Sequence, residues 1–199
     1  MDIILASGSP RRKQLLAQMG IETFRVISSD ADETVEPGLS PARIVEILSA
    51  RKAEAVADHA KPGGLVIAAD TIVALDGAVL GKPNDGLEAF RMLSALSGRR
   101  HQVYTGVTLL RGGERRTEHE VTTVTFRELT QDDITRYIAT GEPMDKAGAY
   151  GIQGYGALLV ERIEGDYFNV MELPVCRLGR MLAGMGTDCL ALAAGNRGQ

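Results

Sequence analysis

The stretch Leu65–Leu75 (LVIAADTIVAL) is apolar except for Asp70 and Thr71. A run of this length and composition reads as a buried strand, so the chain must build a core around it. A carboxylate inside or at the end of such a strand is costly unless it is paired or binds a cation. Asp70 is therefore either half of a structural ion pair or a working carboxylate held rigidly at a cleft. Thr71 points to the opposite face if the extended geometry continues through it.

The elements on either side follow from similar signals. The opening IILASGSPRRKQLL reads as a strand over Ile3–Ala6, a small-residue turn, and a helix over Pro10–Met19. Ser9 is placed as N-cap and Pro10 as first helical residue. A second strand is expected over Phe24–Ser28, then an acidic loop, SSDADETVEPGLSP, and a helix from Pro41 to about His59 capped by Ser40. Asp76-Gly77 marks a hairpin turn. The loop GKPNDG precedes an amphipathic helix carrying Leu87, Phe90, Leu93 and Leu96. Two β-rich arms flank Gly112-Gly113 as a second hairpin. A helix capped by Thr130, the Gly-rich DKAGAYGIQGYGALLV, a strand, and a helix from Pro174 to Leu182 complete the pattern.

Nothing repeats and no linker divides the chain. With 199 residues, 44% of them hydrophobic, one sizeable core is expected. The reading is a single domain over 1–184 and a loosely held tail over 185–199, where periodicity is weak.

Several classes are disfavoured. No apolar run approaches the roughly 20 residues that span a bilayer, so no membrane partner is expected. The basic pair follows the first apolar run, opposite to a signal peptide, so none is expected. Cys176 and Cys189 make neither a disulfide framework nor a zinc site, and His59, His101 and His119 are scattered. A reducing, cytoplasmic setting is the expectation. A net charge of -4 disfavours a nucleic-acid polymer as partner, but leaves room for a small anion in a local basic pocket.

Candidate site residues are polar ones on apolar faces. A helix start favours anions, yet Arg11 and Arg12 stand there. Arg12 shares a face with Leu15 and Leu16, so its guanidinium points inward or into a cleft. It is either a snorkelling arginine with a surface partner or, beside the Ser7-Gly8-Ser9 turn, part of an anion site. Lys52 falls four residues beyond Leu48 on the apolar stripe, at its margin or facing a cleft. Glu33, within DADE, belongs either to a solvated loop or to a site for a hard divalent cation. Lys82 in LGKP fails the Walker pattern, because Gly77 is one residue too close and Pro83 replaces Ser or Thr. GAYGIQGYG fails the dinucleotide fingerprint. Gln153 within it is either a surface residue of a turn or a reader of a base edge.

The ordered blocks ASGSPRR, DADET, RKAEA, AADTIV, LGKP, LSGRRHQVYTGV, DKAGAYGIQGYGALLVERIEGDY and ELP resemble the Maf family of nucleoside triphosphate pyrophosphatases. The resemblance implies an α/β fold: an elongated, twisted mixed sheet flanked by helices, as in the inosine triphosphatases, with two lobes around a nucleotide-binding cleft. It implies hydrolysis of a nucleoside triphosphate to the monophosphate and pyrophosphate, which keeps unwanted nucleotides out of nucleic acids. It also implies a divalent metal (Mg²⁺ or Mn²⁺) and a homodimer. The catalytic acid–base aspartate falls on Asp70; pocket positions fall on Ser7, Arg12, Glu33, Lys52, Lys82 and Lys146.

In this reading Arg12, Lys52 and Lys82 hold the phosphates with Ser7 and Ser9, while Glu33 and Asp70 position the metal. Arg11, Thr71 and Gln153 match the branch that prefers dTTP and UTP; the 7-methyl-GTP branch carries Trp, Gln and Glu at those positions. Glu172 departs from the pattern, because relatives commonly have Gly before Leu-Pro. Family members are also linked to arrest of cell division and septum formation. That allows an alternative, a nucleotide-binding regulator with little turnover, against which the intact Asp70 and Glu33 argue.

Overall fold

The computed structural model describes residues 1–196. β1 (Ile3–Leu5) runs into the Ser7–Ser9 turn and α1 (Pro10–Gln18), where the Ser9 side chain caps the Arg12 N–H as expected. β2 is short, Arg25–Val26. α2 (Pro41–Glu54) ends sooner than the periodicity predicts. Val56 leaves the helical region at φ -116° and buries its side chain with Ile4, Ala6, Ala53, Val66 and Ala68. The chain then continues as a single 3-10 turn over Ala57–His59 rather than as α-helix.

β3 (Leu65–Leu75) and β4 (Ala78–Leu80) form the first hairpin, with Asp76 and Gly77 both at positive φ. α3 (Gly86–Leu96) follows. β5 (Arg100–Arg111) and β6 (Glu114–Phe126) make the second, turning at Gly112 and Gly113. Both turns are ones in which positive φ matches the strand twist. α4 (Gln131–Ala139), β7 (Val160–Glu164), α5 (Tyr167–Val170), α6 (Val175–Gly184) and α7 (Cys189–Asn196) complete the described chain.

The seven strands form one mixed sheet in the order β2-β1-β3-β5-β6-β7, with β4 beside β3. β1 pairs parallel with β2 and β3, and the remaining pairs are antiparallel. α2 covers one face of the central strands. At Gly106 any Cβ would strike the Val45 carbonyl, so only glycine lets α2 lie this close to β5. The larger core fills the other face, where Leu65, Ile67 and Ala69 meet Leu15 and Leu16 of α1, Leu93 and Leu96 of α3, and Leu178 and Leu182 of α6. This is the mixed α/β architecture that the sequence reading expects.

Beyond Gly184, Met185 and Thr187 are buried, and α7 places Ala193 against Gly20. The end of the expected tail, residues 197–199, lies outside the described residues.

β3 outruns its neighbour on one edge. β1 pairs with it only as far as Ile67, and β4 takes up pairing again at Val73. Between those points this edge of β3 has no strand partner among the described residues. The gap is where the site lies.

Candidate active site

A cavity of about 820 Å³ opens at this gap, lined by Ser7, Ser9, Arg11, Arg12, Glu33, Lys52, Asp70, Thr71, Lys82, Asp145 and Glu172. Asp70, only 7% exposed, faces α2, while Thr71 faces α1, as alternation along a strand requires. A continuous sheet would separate the two side chains. The missing strand lets both faces drain into one cavity.

On the α2 side, Lys52 Nζ is shared by two carboxylates. It donates to Asp70 and lies 2.8 Å from Glu33 Oε1. Glu33 sits on a loop with no regular structure, and α2 ties that loop down. Arg51 Nη1 donates to the carbonyls of Asp32 (3.0 Å) and Thr34 (2.5 Å). The adjacent residues Arg51 and Lys52 thus hold the loop backbone and its carboxylate respectively. The hydrogen bond from Lys52, with Lys82 and Arg12 behind it, keeps the Glu33 carboxyl below its usual range despite some burial.

On the α1 side, Arg12 is 7% exposed and forms no ion pair among the described residues. Its Nε donates to the Glu172 carbonyl (2.9 Å), Nη1 to Ser7 Oγ (3.1 Å) and Nη2 to Thr71 Oγ1 (3.1 Å). Every acceptor is a neutral oxygen. Ser7 Oγ also accepts the Ser9 N–H (3.2 Å), so its own proton is left to donate into the cavity. Arg11 differs from its neighbour. It meets Glu172 at 2.5 Å and Asp145 at 3.4 Å, two carboxylates on one guanidinium.

Most of the expected residues therefore converge. Ser7, Ser9, Arg11, Arg12, Glu33, Lys52, Asp70, Thr71 and Lys82 share the cavity. Lys146 and Gln153 are not among its lining residues. Lys146 Nζ donates to the Glu142 carbonyl and to Asp145 Oδ1, both at 2.6 Å. Gln153 is half-buried at the start of the turn Gly154–Leu158. Asp145 enters only with the fold, although its neighbour Lys146 carries the sequence signal. Glu172 stands out in the sequence only as a departure; its φ of 77° is the left-handed backbone that glycine adopts without strain.

Glu33 and Asp70 already share one cation, the Lys52 ammonium, and both offer hard carboxylate oxygens. No third His, Cys, Asp or Glu joins them in a cluster among the described residues. Such a donor pair fits a small hard cation that takes one or two carboxylates and completes its shell with phosphate and water. It does not fit a metal held entirely by protein ligands.

Comparison with known proteins shows what the chain is similar to. The model of the Maf-like protein family matches residues 2–185. The dTTP/UTP pyrophosphatase of Symbiobacterium thermophilum is 52% identical over 193 residues, covering 97% of this chain and 98% of that protein. The dTTP/UTP pyrophosphatase of Moorella thermoacetica is 53% identical over 188 residues, covering 94% and 96%. That of Bacillus cytotoxicus is 52% identical over 179 residues, covering 90% and 93%. Among solved structures, the Staphylococcus aureus Ham1 protein superposes with a TM-score of 0.47 at 18% identity, over 63% of this chain and 72% of that one.

Proposed function

The chain belongs to the Maf-like protein family, and from that premise and the chemistry of the cavity we propose that it hydrolyses dTTP and UTP to the nucleoside monophosphate and pyrophosphate. The observation that carries this reading is Arg12. A buried guanidinium in direct ion-pair contact with no carboxylate among the described residues, beside the Ser7 hydroxyl and across one cavity from a carboxylate pair, suits a polyphosphate chain. It also explains why Arg12 stands near the positive end of α1: the substrate supplies the negative charge that Arg12 lacks in direct contact.

In this mechanism Arg12, Lys82 and the Ser7 hydroxyl hold the phosphate oxygens, with Ser9 at the helix cap and Lys52 between the phosphates and the carboxylates. Lys146, outside the cavity wall, would act on the phosphates only through Asp145. Asp70 accepts a proton as a water oxygen bonds to the α-phosphorus. The bond from that phosphorus to the bridging oxygen breaks, and its electron pair leaves on pyrophosphate. Glu33 and Asp70 would hold Mg²⁺ or Mn²⁺, which supplies positive charge to the phosphate oxygens. Most of the acceleration then comes from positioning and charge stabilisation, and the strand supplies the rigidity that positioning needs. Base preference would rest on Arg11, Thr71 and Gln153. A homodimer working in the cytoplasm completes the proposal.

The experiment is a panel of canonical and modified nucleoside triphosphates assayed for pyrophosphate with Mg²⁺ or Mn²⁺. Pyrophosphate from dTTP and UTP supports the reading. Orthophosphate instead would make the protein a phosphatase, and binding without product would favour a regulator.

A further inference from the structure

Glu172 occupies an unusual place in the cavity wall. Its carbonyl accepts from Arg12 Nε (2.9 Å), while its carboxylate reaches the start of α1. One carboxylate oxygen takes Arg11 Nη2 (2.5 Å) and the other takes the Ser9 hydroxyl (2.9 Å). The backbone holds φ at 77° to do this, a conformation that costs a non-glycine residue strain and persists only where surroundings enforce it. Burial alone would raise this carboxyl. The charges of Arg12 and Arg11 and the bonds from Arg11 and Ser9 outweigh burial and hold it below the usual carboxylate range.

The first turn of α1 thus already carries an anion, and it is the chain's own. Ser9, the helix cap, spends its proton on Glu172 rather than on the cavity. Arg11 is paired with two carboxylates, while its neighbour Arg12, though within reach of the Glu172 charge, is in direct ion-pair contact with none among the described residues. A phosphate chain arriving at Arg12 and Ser7 meets this fixed negative charge alongside.

We propose that the Glu172 carboxylate is an internal competitor for the anion cradle at the start of α1, weakening the hold on the phosphate chain and so raising the nucleotide KM and speeding pyrophosphate release. This rests on the polyphosphate reading above.

Glu172→Gln and Glu172→Gly separate the contributions. Both remove the charge; the glycine variant also relieves the backbone and keeps the carbonyl that holds Arg12. Pyrophosphate is titrated calorimetrically with Mg²⁺ into wild type and both variants, and KM for UTP is measured beside it. The expected result is pyrophosphate binding about three- to tenfold tighter in both variants, with KM for UTP lowered by a similar factor. Binding that is unchanged or weaker overturns the proposal, a weaker result meaning that Glu172 props Arg11 for the substrate. If the glutamine variant does not fold, the glycine variant decides. A wild type that neither binds pyrophosphate nor releases it from any nucleotide would overturn the polyphosphate reading itself. Active wild type with variants that do not tighten would overturn this inference alone.

Discussion

Asp70 and Thr71 are neighbours that leave β3 by opposite faces, yet both line one cavity. Asp70 meets Lys52 of α2, and Thr71 meets Arg12 of α1. The two residues join the acidic and basic halves of the site through the rigid backbone of a single strand. The first two expectations below probe those halves.

Asp70→Asn keeps the side-chain shape, and Lys52 retains Glu33 as partner, so the fold should survive. Loss of a catalytic proton acceptor costs about 10²- to 10⁴-fold in rate. Pyrophosphate release from UTP should fall by that order, with the circular dichroism spectrum retained. Turnover at the wild-type level would rule Asp70 out as the base.

Arg12→Lys keeps the charge but loses the planar fork that serves Glu172, Ser7 and Thr71 at once. Pyrophosphate binding should weaken about 10- to 100-fold, or about 1.4 to 2.8 kcal/mol. Calorimetric titration checks this, and equal affinity in the two proteins would make Arg12 a scaffold residue.

Gln153→Glu tests base reading. Hydrolysis of dTTP and UTP should fall more than pyrophosphate binding does, because the phosphate contacts are untouched. Equal losses across the whole nucleotide panel would make Gln153 part of the scaffold.

Buried His101 bonds Tyr150 through Nε2 (2.8 Å) and packs edge-on to Phe126. Burial lowers its pKa from 6.5 to about 4, so it is neutral in the fold at neutral pH. Between these values the unfolded chain binds the extra proton, so stability falls as pH drops through this window. The loss between pH 6.5 and 4.5 is on the order of 2–3 kcal/mol. Glu33 and Glu172, with lowered pKa values, add their own loss only below about 4.5. Thermal midpoints should therefore drop from pH 6.5 to 4.5 in wild type and much less in His101→Gln. A flat wild-type profile there would contradict a neutral buried ring.

Glu142 ties the Gly-rich segment to α4. Its carboxylate accepts from the Tyr137 hydroxyl and from the N–H groups of Tyr155 and Gly156, each at 2.9 Å. Glu142→Ala leaves the buried Tyr137 hydroxyl without an acceptor for its proton, although the Gly151 N–H still donates to its oxygen (3.3 Å), and should cost about 2–4 kcal/mol in urea unfolding. A loss below about 0.5 kcal/mol would place these bonds among surface contacts of little weight.

The elements of this fold were legible because their signals are local. The Ser9-Pro10 and Ser40-Pro41 starts, the Asp76-Gly77 and Gly112-Gly113 turns, and the apolar run through Leu75 act within a few residues. Polar residues on apolar faces marked Arg12, Lys52 and Asp70, because burying charge is costly unless something compensates it. The end of α2 was not legible, since it depends on Val56 finding a core formed by β1 and β3. Sequence alone singled out most of the polar residues that line the cavity. Only the tertiary structure decided that they meet, because the gap beside β3 is made by where β1 stops pairing and β4 begins. Partner choices were decided there too. Lys52 between two carboxylates, Arg12 among neutral oxygens and Glu172 against Arg11 join residues 5 to 161 positions apart, most of them farther apart than any helix or strand period reaches.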